Sequence, residues 1–487
     1  MIGCLIDHGD SDLVRERFVW EKSLDNKKSN IDFIIKIPDE YLESYLERFI
    51  KDWSAGMVSD VLSNINMEDL LFRQQLLQYL QQLDNLEQVA LVNTKDTVRP
   101  KESCASGNTP LILTCYYGYI DMVQWLLHND ADVDQCRDDG NTGLVMASQN
   151  GHTDIVKLLL EKDPNVDLCD HDGNSPLCWA SQEGHTDIVT LLLEKNPNID
   201  LCDKDSVSPL CWASFGGHTD IVFFLLEKNP NVDLCDKDDV SPLCWASYNG
   251  HADIVKLLLE RNPNVDLCNK EGFTPLITAC IRNNTSMVQL LMKHKPNINA
   301  QTYDGGNPLL FSALNGNLEI TRLLLKNNAD CNICCCSKQF IIDTIKDHPT
   351  KTLEDEKQCY FDYLIENASS HVTDYVNKKP VDYVFDIEAG CSPLHIACFM
   401  GRIDVVCCLL DHNANINITN EDGTTPLFFA CEVGHEDIVC LLLDKGAITQ
   451  ICRLDSKSPL QIATDNEHTS VVMIVTEHLK KKEKHSF

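Results

Sequence analysis

Positive charge is scarce in this chain, and long apolar runs are missing. Its 487 residues carry 41 Lys+Arg against 74 Asp+Glu, a formal net charge of −33. Such a surface repels phosphate, which excludes nucleic acid and anionic lipid as main partners and favours basic peptides or basic protein faces. No run of about 18 apolar residues exists to cross a bilayer, so membrane insertion is not expected. The opening Met1-Ile2-Gly3-Cys4-Leu5-Ile6-Asp7 has neither the cationic start nor the length of a secretory signal. A soluble protein of the cytoplasm is expected, with the nucleus as the second compartment. The signatures of catalysis are equally lacking. There is no nucleophile elbow, zinc-protease helix, dinucleotide glycine fingerprint, kinase set or phosphate-cradling glycine loop. Neither an enzyme nor a cofactor is expected.

Cysteine, by contrast, is abundant at 24 residues, yet diluted over a long chain. Cys136, Cys169, Cys202, Cys235 and Cys268 recur every 33 residues and Cys334 falls two periods on. Units stacked at helix spacings of about 8–10 Å would hold these positions beyond bridging distance. They are expected to be reduced, buried or half-buried fillers. The run Cys331, Cys334, Cys335 and Cys336 lacks a matched second ligand pair, so no metal is expected there.

The same period governs the whole centre of the chain. Pro110, Gly143, Pro176, Pro209, Pro242, Pro275 and Pro308 stand 33 residues apart, and Pro393, Pro426 and Pro459 resume the spacing. Between Pro308 and Pro393 lie two periods plus 19 residues. Ile341 falls in the next proline slot and Leu364-Ile365-Glu366-Asn367 mimics a unit's end, which predicts a degenerate unit with insertions of 7 and 12 residues. Eleven units follow from this count. The expected divisions are a helical region 1–100, repeats one to seven over 105–332, the degenerate repeat 333–390, repeats nine to eleven over 391–480 and a basic tail 481–487.

Each unit has a readable plan. In Ser175-Pro176-Leu177-Cys178-Trp179-Ala180, serine caps a helix and proline takes its first position, where no N–H is needed. Gly184-His185 ends that helix, and Thr186-Asp187 opens a second with Ile188, Val189, Leu191, Leu192 and Leu193 as its apolar face. Asn196-Pro197-Asn198 stops the second helix, and Ile199 to Asp205 form an extended finger with a polar turn. One unit cannot bury its leucines alone, so the units must stack as an all-α solenoid.

These elements resemble the ankyrin-repeat family. Ser175 to Ala180 is similar to its Thr-Pro-Leu-His-x-Ala, Gly184-His185 to its Gly-His and Ile188 to Leu193 to its Ile-Val-x-Leu-Leu-Leu, over roughly residues 105–480. Only His395 keeps the family's histidine; Cys178, Cys211 and Cys244 replace it, so its hydrogen bonds must be made otherwise or lost. Ser206 and Asp239 replace the finger-tip glycine, which predicts local softening. His152, His185, His218, His251 and His435 each follow a glycine and read as loop-setting residues. Trp179, Trp212 and Trp245 read as packing between helices.

The first hundred residues lack the period. Pro38-Asp39-Glu40 opens a helix bearing Leu42, Leu46, Phe49, Ile50 and Trp53, and a second is expected over Met67–Leu83 with Leu70, Leu71, Leu76, Leu77, Leu80 and Leu83 along its apolar face. This face would dock on the first repeat or on another domain. The stretch resembles the helical segment before ankyrin arrays in NACHT-type signalling NTPases. That resemblance implies an alternative role, the ligand-sensing arm of a larger NTPase whose nucleotide-binding domain lies outside this chain.

The ankyrin resemblance implies a noncatalytic scaffold or adaptor that binds proteins through a groove lined by finger tips and first-helix ends. Carried over, the helix positions are Tyr116, Tyr117, Gln149, Asn150, Gln182, Glu183, Phe215, Tyr248, Asn249, Arg282, Leu314, Phe399 and Met400, several of them aromatic or apolar. Exposed groups of that kind mark interaction surfaces. The fingers contribute Asp138, Asp172, Lys204, Asp205, Lys237 and Asp238. Insertion loops in 333–390 are expected to protrude and offer a second surface.

Overall fold

The computed structural model describes residues 39–97, 106–347 and 352–485. The described residues contain no strand; a single antiparallel bridge joins Cys136 to Thr142. The chain divides into two compact parts, with described residues 39–263 and 264–485.

Within each repeat the sequence logic is visible atom by atom. Ser175 Oγ accepts the Cys178 N–H at 3.1 Å, Pro176 opens the helix Pro176–Glu183, and Gly184 closes it at φ +79°. The second helix, Thr186–Glu194, buries Ile188, Val189, Leu192 and Leu193. First helices pack on first helices and second on second, so each leucine face is covered by its neighbours. The Gly-His pair locks successive repeats. His185, His218 and His251 each place Nε2 3.1–3.2 Å from the carbonyl ending the previous first helix, at Gln149, Gln182 and Phe215. Each ring lies over the previous repeat's glycine, where a Cβ would sit 2.6–2.7 Å from the ring carbon. At the finger base the Asn165, Asn198 and Asn231 amides donate to Asp134, Asp167 and Asp200 of the preceding repeat.

The cysteine-for-histidine exchange is resolved by the thiols. Cys178 Sγ donates to Leu201 O at 3.2 Å and Cys211 Sγ to Leu234 O at 3.3 Å. Buried His395 instead sets Nε2 3.0 Å from Thr424 O and accepts the Ser392 N–H at Nδ1. Burial pushes the Cys178 thiol up to about 12, which makes it a poor nucleophile. Of the finger cysteines, Cys169, Cys202 and Cys235 are half-buried as expected, but Cys136 and Cys268 are exposed. Ser206 and Asp239 do adopt the left-handed backbone, at φ 61° and 62°.

The N-terminal helices dock on the Pro110 repeat. Trp53 meets Trp125 edge to face at 6.5 Å, and the Arg73 guanidinium pairs with Asp121 at 3.0 Å. The second helix is shorter than expected, Leu70–Leu80 after a 3-10 turn at Ile65–Glu68. Asp69 caps it, so Leu70 and Leu71 sit in its first turn facing solvent, and Phe72, Leu76 and Leu80 form the buried stripe.

The 333–390 region departs most from expectation. Ile341 does not begin a stacked unit. The first helix Pro308–Asn315 packs directly on Pro393–Phe399, and Leu318–Lys326 on Ile403–Asp411. The finger-base bond that elsewhere spans 31 residues spans 83 here, from the Asn415 amide to Asn332 Oδ1 at 2.8 Å. Five repeats stack within each part, and the chain between Pro308–Asn315 and Pro393–Phe399 that follows Leu318–Lys326 is a bypassed insert. Its described helices are Lys338–Asp347, Leu353–Asn367, Ser370–Val376 and Val381–Glu388. Leu353–Asn367 and Ser370–Val376 fold back onto first-helix ends of their own part instead of protruding as loops, and Val381–Glu388 packs on Leu353–Asn367.

Candidate functional site

First-helix ends project where each first helix gives way to its closing glycine, because the leucine-bearing second helices occupy the other side. In the N-terminal part these ends carry most of the aromatic residues singled out from sequence. Tyr117 is 38% exposed and Tyr116 half-buried, with ring centroids 5.0 Å apart. Tyr117 also stacks on Tyr119 at 5.5 Å, and the Arg73 guanidinium lies 4.8 Å from the Tyr119 ring. Further along, Trp212, Phe215, Trp245 and Tyr248 form an edge-to-face ladder with centroid steps of 6.4, 5.0 and 6.5 Å. All four are half-buried. Such T-shaped contacts hold rings rigid at small entropic cost, which suits anchors.

Trp212 and Trp245 belong to this surface as well as to the packing. Their indole N–H groups donate to Asp203 and Asp236 at 3.2 and 3.0 Å, tying the ladder to the finger turns. Desolvation raises both carboxyls above their ordinary range despite the amide and indole donors around them. The signal for these tryptophans was their i, i+3 spacing to Phe215 and Tyr248, which sets both rings on one helix edge.

The polar positions divide between surface and stacking. Asn150 and Glu183 are exposed, and Gln149 and Gln182 are half-buried with their carbonyls taken by histidines. Asn249 Nδ2 donates to Phe215 O at 3.1 Å, so it also joins two repeats. On the fingers, Asp138, Asp172, Lys204 and Lys237 are exposed, while Asp205 and Asp238 are half-buried. Lys237 pairs with Asp205 at 3.0 Å, which offsets one of the expected acidic positions.

In the C-terminal part Arg282 is exposed, but three expected anchors are not. Leu314 is 2% exposed, and Phe399 and Met400 1% each. The insert covers their helix ends. Helix Leu353–Asn367 packs on Pro308–Asn315, with Tyr363 Oη donating to Asn315 Oδ1 at 3.4 Å. Phe399 is held between Tyr375 of the insert at 6.4 Å and Phe429 at 5.6 Å. In the next repeat the same position is Glu432, which sequence reasoning passed over. Its buried carboxylate lies 3.7 Å from Arg453 and within electrostatic reach of the Tyr375 and Tyr383 hydroxyls, which stand 3.3 Å apart. Burial raises the Glu432 carboxyl above the usual range, and Arg453 and the two hydroxyls limit the rise.

No group of three or more His, Cys, Asp or Glu among the described residues is arranged to hold a metal ion. The family model for ankyrin repeats, in sets of three copies, matches residues 111–205, 195–267, 261–334, 361–451 and 394–485. The chain belongs to the ankyrin-repeat family. No curated protein matches it in sequence. Ankyrin repeats indicate a protein-interaction scaffold, and the family is generally noncatalytic. None of the described helices is long and apolar enough to cross a membrane.

Proposed function

We propose that this ankyrin-repeat chain is a noncatalytic adaptor of the cytoplasm or nucleus that binds protein partners through the first-helix ends and finger tips of residues 106–263. The observation that carries this reading is the Trp212–Phe215–Trp245–Tyr248 ladder, a row of half-buried rings whose indoles are tied to the finger-turn carboxylates of Asp203 and Asp236. Aromatic anchors with an acidic rim favour a partner presenting a basic peptide or a basic face. The net charge of −33 acts in the same direction and against nucleic acid.

Affinity capture with the full chain tests it. A Tyr116→Ala, Phe215→Ala, Tyr248→Ala triple variant should lose most captured proteins while keeping its helical circular dichroism. An unchanged captured set at unchanged helicity would reject the groove. The sensor-arm alternative makes a separate demand, a longer gene product that contains this chain and binds ATP.

A further inference from the structure

The insert bears on the same kind of surface from inside the molecule. Three observations bear on its role. The repeats stack past it in ordinary register, and its ends close on each other: Gly390 N–H donates to Cys336 O at 3.1 Å and Cys335 N–H to Cys391 O at 2.9 Å. Its chain therefore leaves and rejoins the array at one point, and the repeats on either side pack on each other directly. It lies on the first-helix ends of the Pro308, Pro393 and Pro426 repeats, the positions left open in residues 106–263. Beside its own buried Leu364, Val372, Val376 and Phe385, it holds them with ring edges and polar groups. Tyr363 meets Asn315, Tyr375 meets Phe399, and His371 Nε2 lies 2.9 Å from Val433 O. Lys379 stands over the Tyr375 and Tyr383 rings at 4.8 and 5.4 Å, the two hydroxyls lie 3.3 Å apart, and Glu432 is buried close enough to act on both electrostatically.

The array is also adapted to receive it. The slot that holds histidine at His435 and His468 in the two following repeats is Arg402, whose side chain covers Gly316 as those histidines cover Gly401 and Gly434. Being longer, it extends past the joint and donates from Nη2 to the Asn367 carbonyl of the insert.

We propose that residues 353–388 are an internal ligand: they occupy the first-helix face of the Pro308, Pro393 and Pro426 repeats in place of an external protein, and that face recognises a helical segment bearing tyrosines flanking a lysine. This rests on the reading of first-helix ends as a binding face. Tethering gives the insert an effective concentration of order millimolar, so an untethered segment of the same chemistry competes poorly until the insert's grip is weakened.

The test uses the full chain and a fluorescein-labelled peptide of residues 369–389. In a Tyr375→Ala, Tyr383→Ala variant the peptide should bind at least ten-fold more tightly than to wild type, and adding Glu432→Ala to that variant should abolish the gain. Equal binding to wild type and variant, or none to a variant of native helicity, overturns the proposal. Hydrogen exchange on the wild-type chain provides a readout that needs no variant. Amides of Ser370–Val376 and Val381–Glu388 should open separately from, and at least ten-fold more often than, those of Pro393–Phe399 and Pro426–Val433. Opening in one step with those repeats overturns it. Neither result depends on the aromatic ladder of residues 106–263, so failure here leaves the capture experiment to judge that groove independently.

Discussion

Gly184→Ala isolates the lock between repeats. Gly184 lies at φ +79°, and a Cβ there would sit 2.6 Å from Cε1 of His218. The His218 Nε2 is 3.1 Å from the Gln182 carbonyl. A carbonyl only accepts, so Nε2 carries the ring proton. The methyl adds roughly 1–2 kcal/mol for a left-handed L-residue. Expelling the ring forfeits about 1 kcal/mol more for its hydrogen bond. The sum is about 2–3 kcal/mol, localised at the joint between the Pro176 and Pro209 repeats. The steric part requires the ring. In a His218→Ala background the glycine substitution should therefore retain only the backbone component, and the pair should be non-additive by about 1 kcal/mol. Repeat arrays open in segments, so native-state hydrogen exchange over Pro176–Glu183 and Thr219–Glu227 is the suitable assay. A loss below about 1 kcal/mol, or the same loss in both backgrounds, would show that the Gly-His pair is a coincidence of loop sequence and not a lock.

Acid should weaken the repeats around His395. Desolvation lowers its pKa to about 4, while an unfolded histidine titrates near 6.5, so the unfolded chain binds the extra proton first. The stabilisation present above that unfolded value is lost as pH falls from about 6.5 towards 4, by up to about 3 kcal/mol. His395→Cys, the residue used at Cys178 and Cys211, should flatten the fall in melting temperature between pH 7 and 5; an unchanged slope would exclude His395 as its source. Ser206→Gly and Asp239→Gly relieve left-handed strain and should each stabilise by about 0.5 kcal/mol after the glycine's greater unfolded entropy is counted. Thermal unfolding reads this, and a lowered midpoint for the double variant would mean that these side chains contribute more than the strain they cause.

The repeats were legible because their contacts have a fixed sequence separation. Each histidine bond spans 36 residues and each finger-base bond 31, so the 33-residue period is the contact rule written along the chain. Serine, proline, glycine and leucine also report on their own local geometry, which placed the helices closely. The aromatic half of the candidate face was legible for the same reason, since Phe215 and Tyr248 occupy one position of a periodic unit. Leu70 and Leu71 were misread because helical periodicity does not say which stripe a cap at Asp69 turns towards the core.

The insert was illegible because its contacts follow no period. His371 reaches Val433 across 62 residues, Tyr360 reaches Asp304 across 56 and Tyr363 reaches Asn315 across 48. A search for self-similarity forces such a stretch into the nearest repeat, which is how Ile341 came to stand for a missing proline. The array side nevertheless carried two marks. Arg402 puts a long cation in the slot that other repeats fill with histidine, asparagine or tyrosine, and Glu432 puts a carboxylate where other repeats have neutral or exposed groups. Both depart from the repeat plan, and both touch the insert. In a chain whose regular positions are explained by stacking alone, a broken position is where something other than the next repeat has to be accommodated. Arg282, an exposed cation at a first-helix end of the C-terminal part, is on the same grounds the next position to substitute when a partner is in hand.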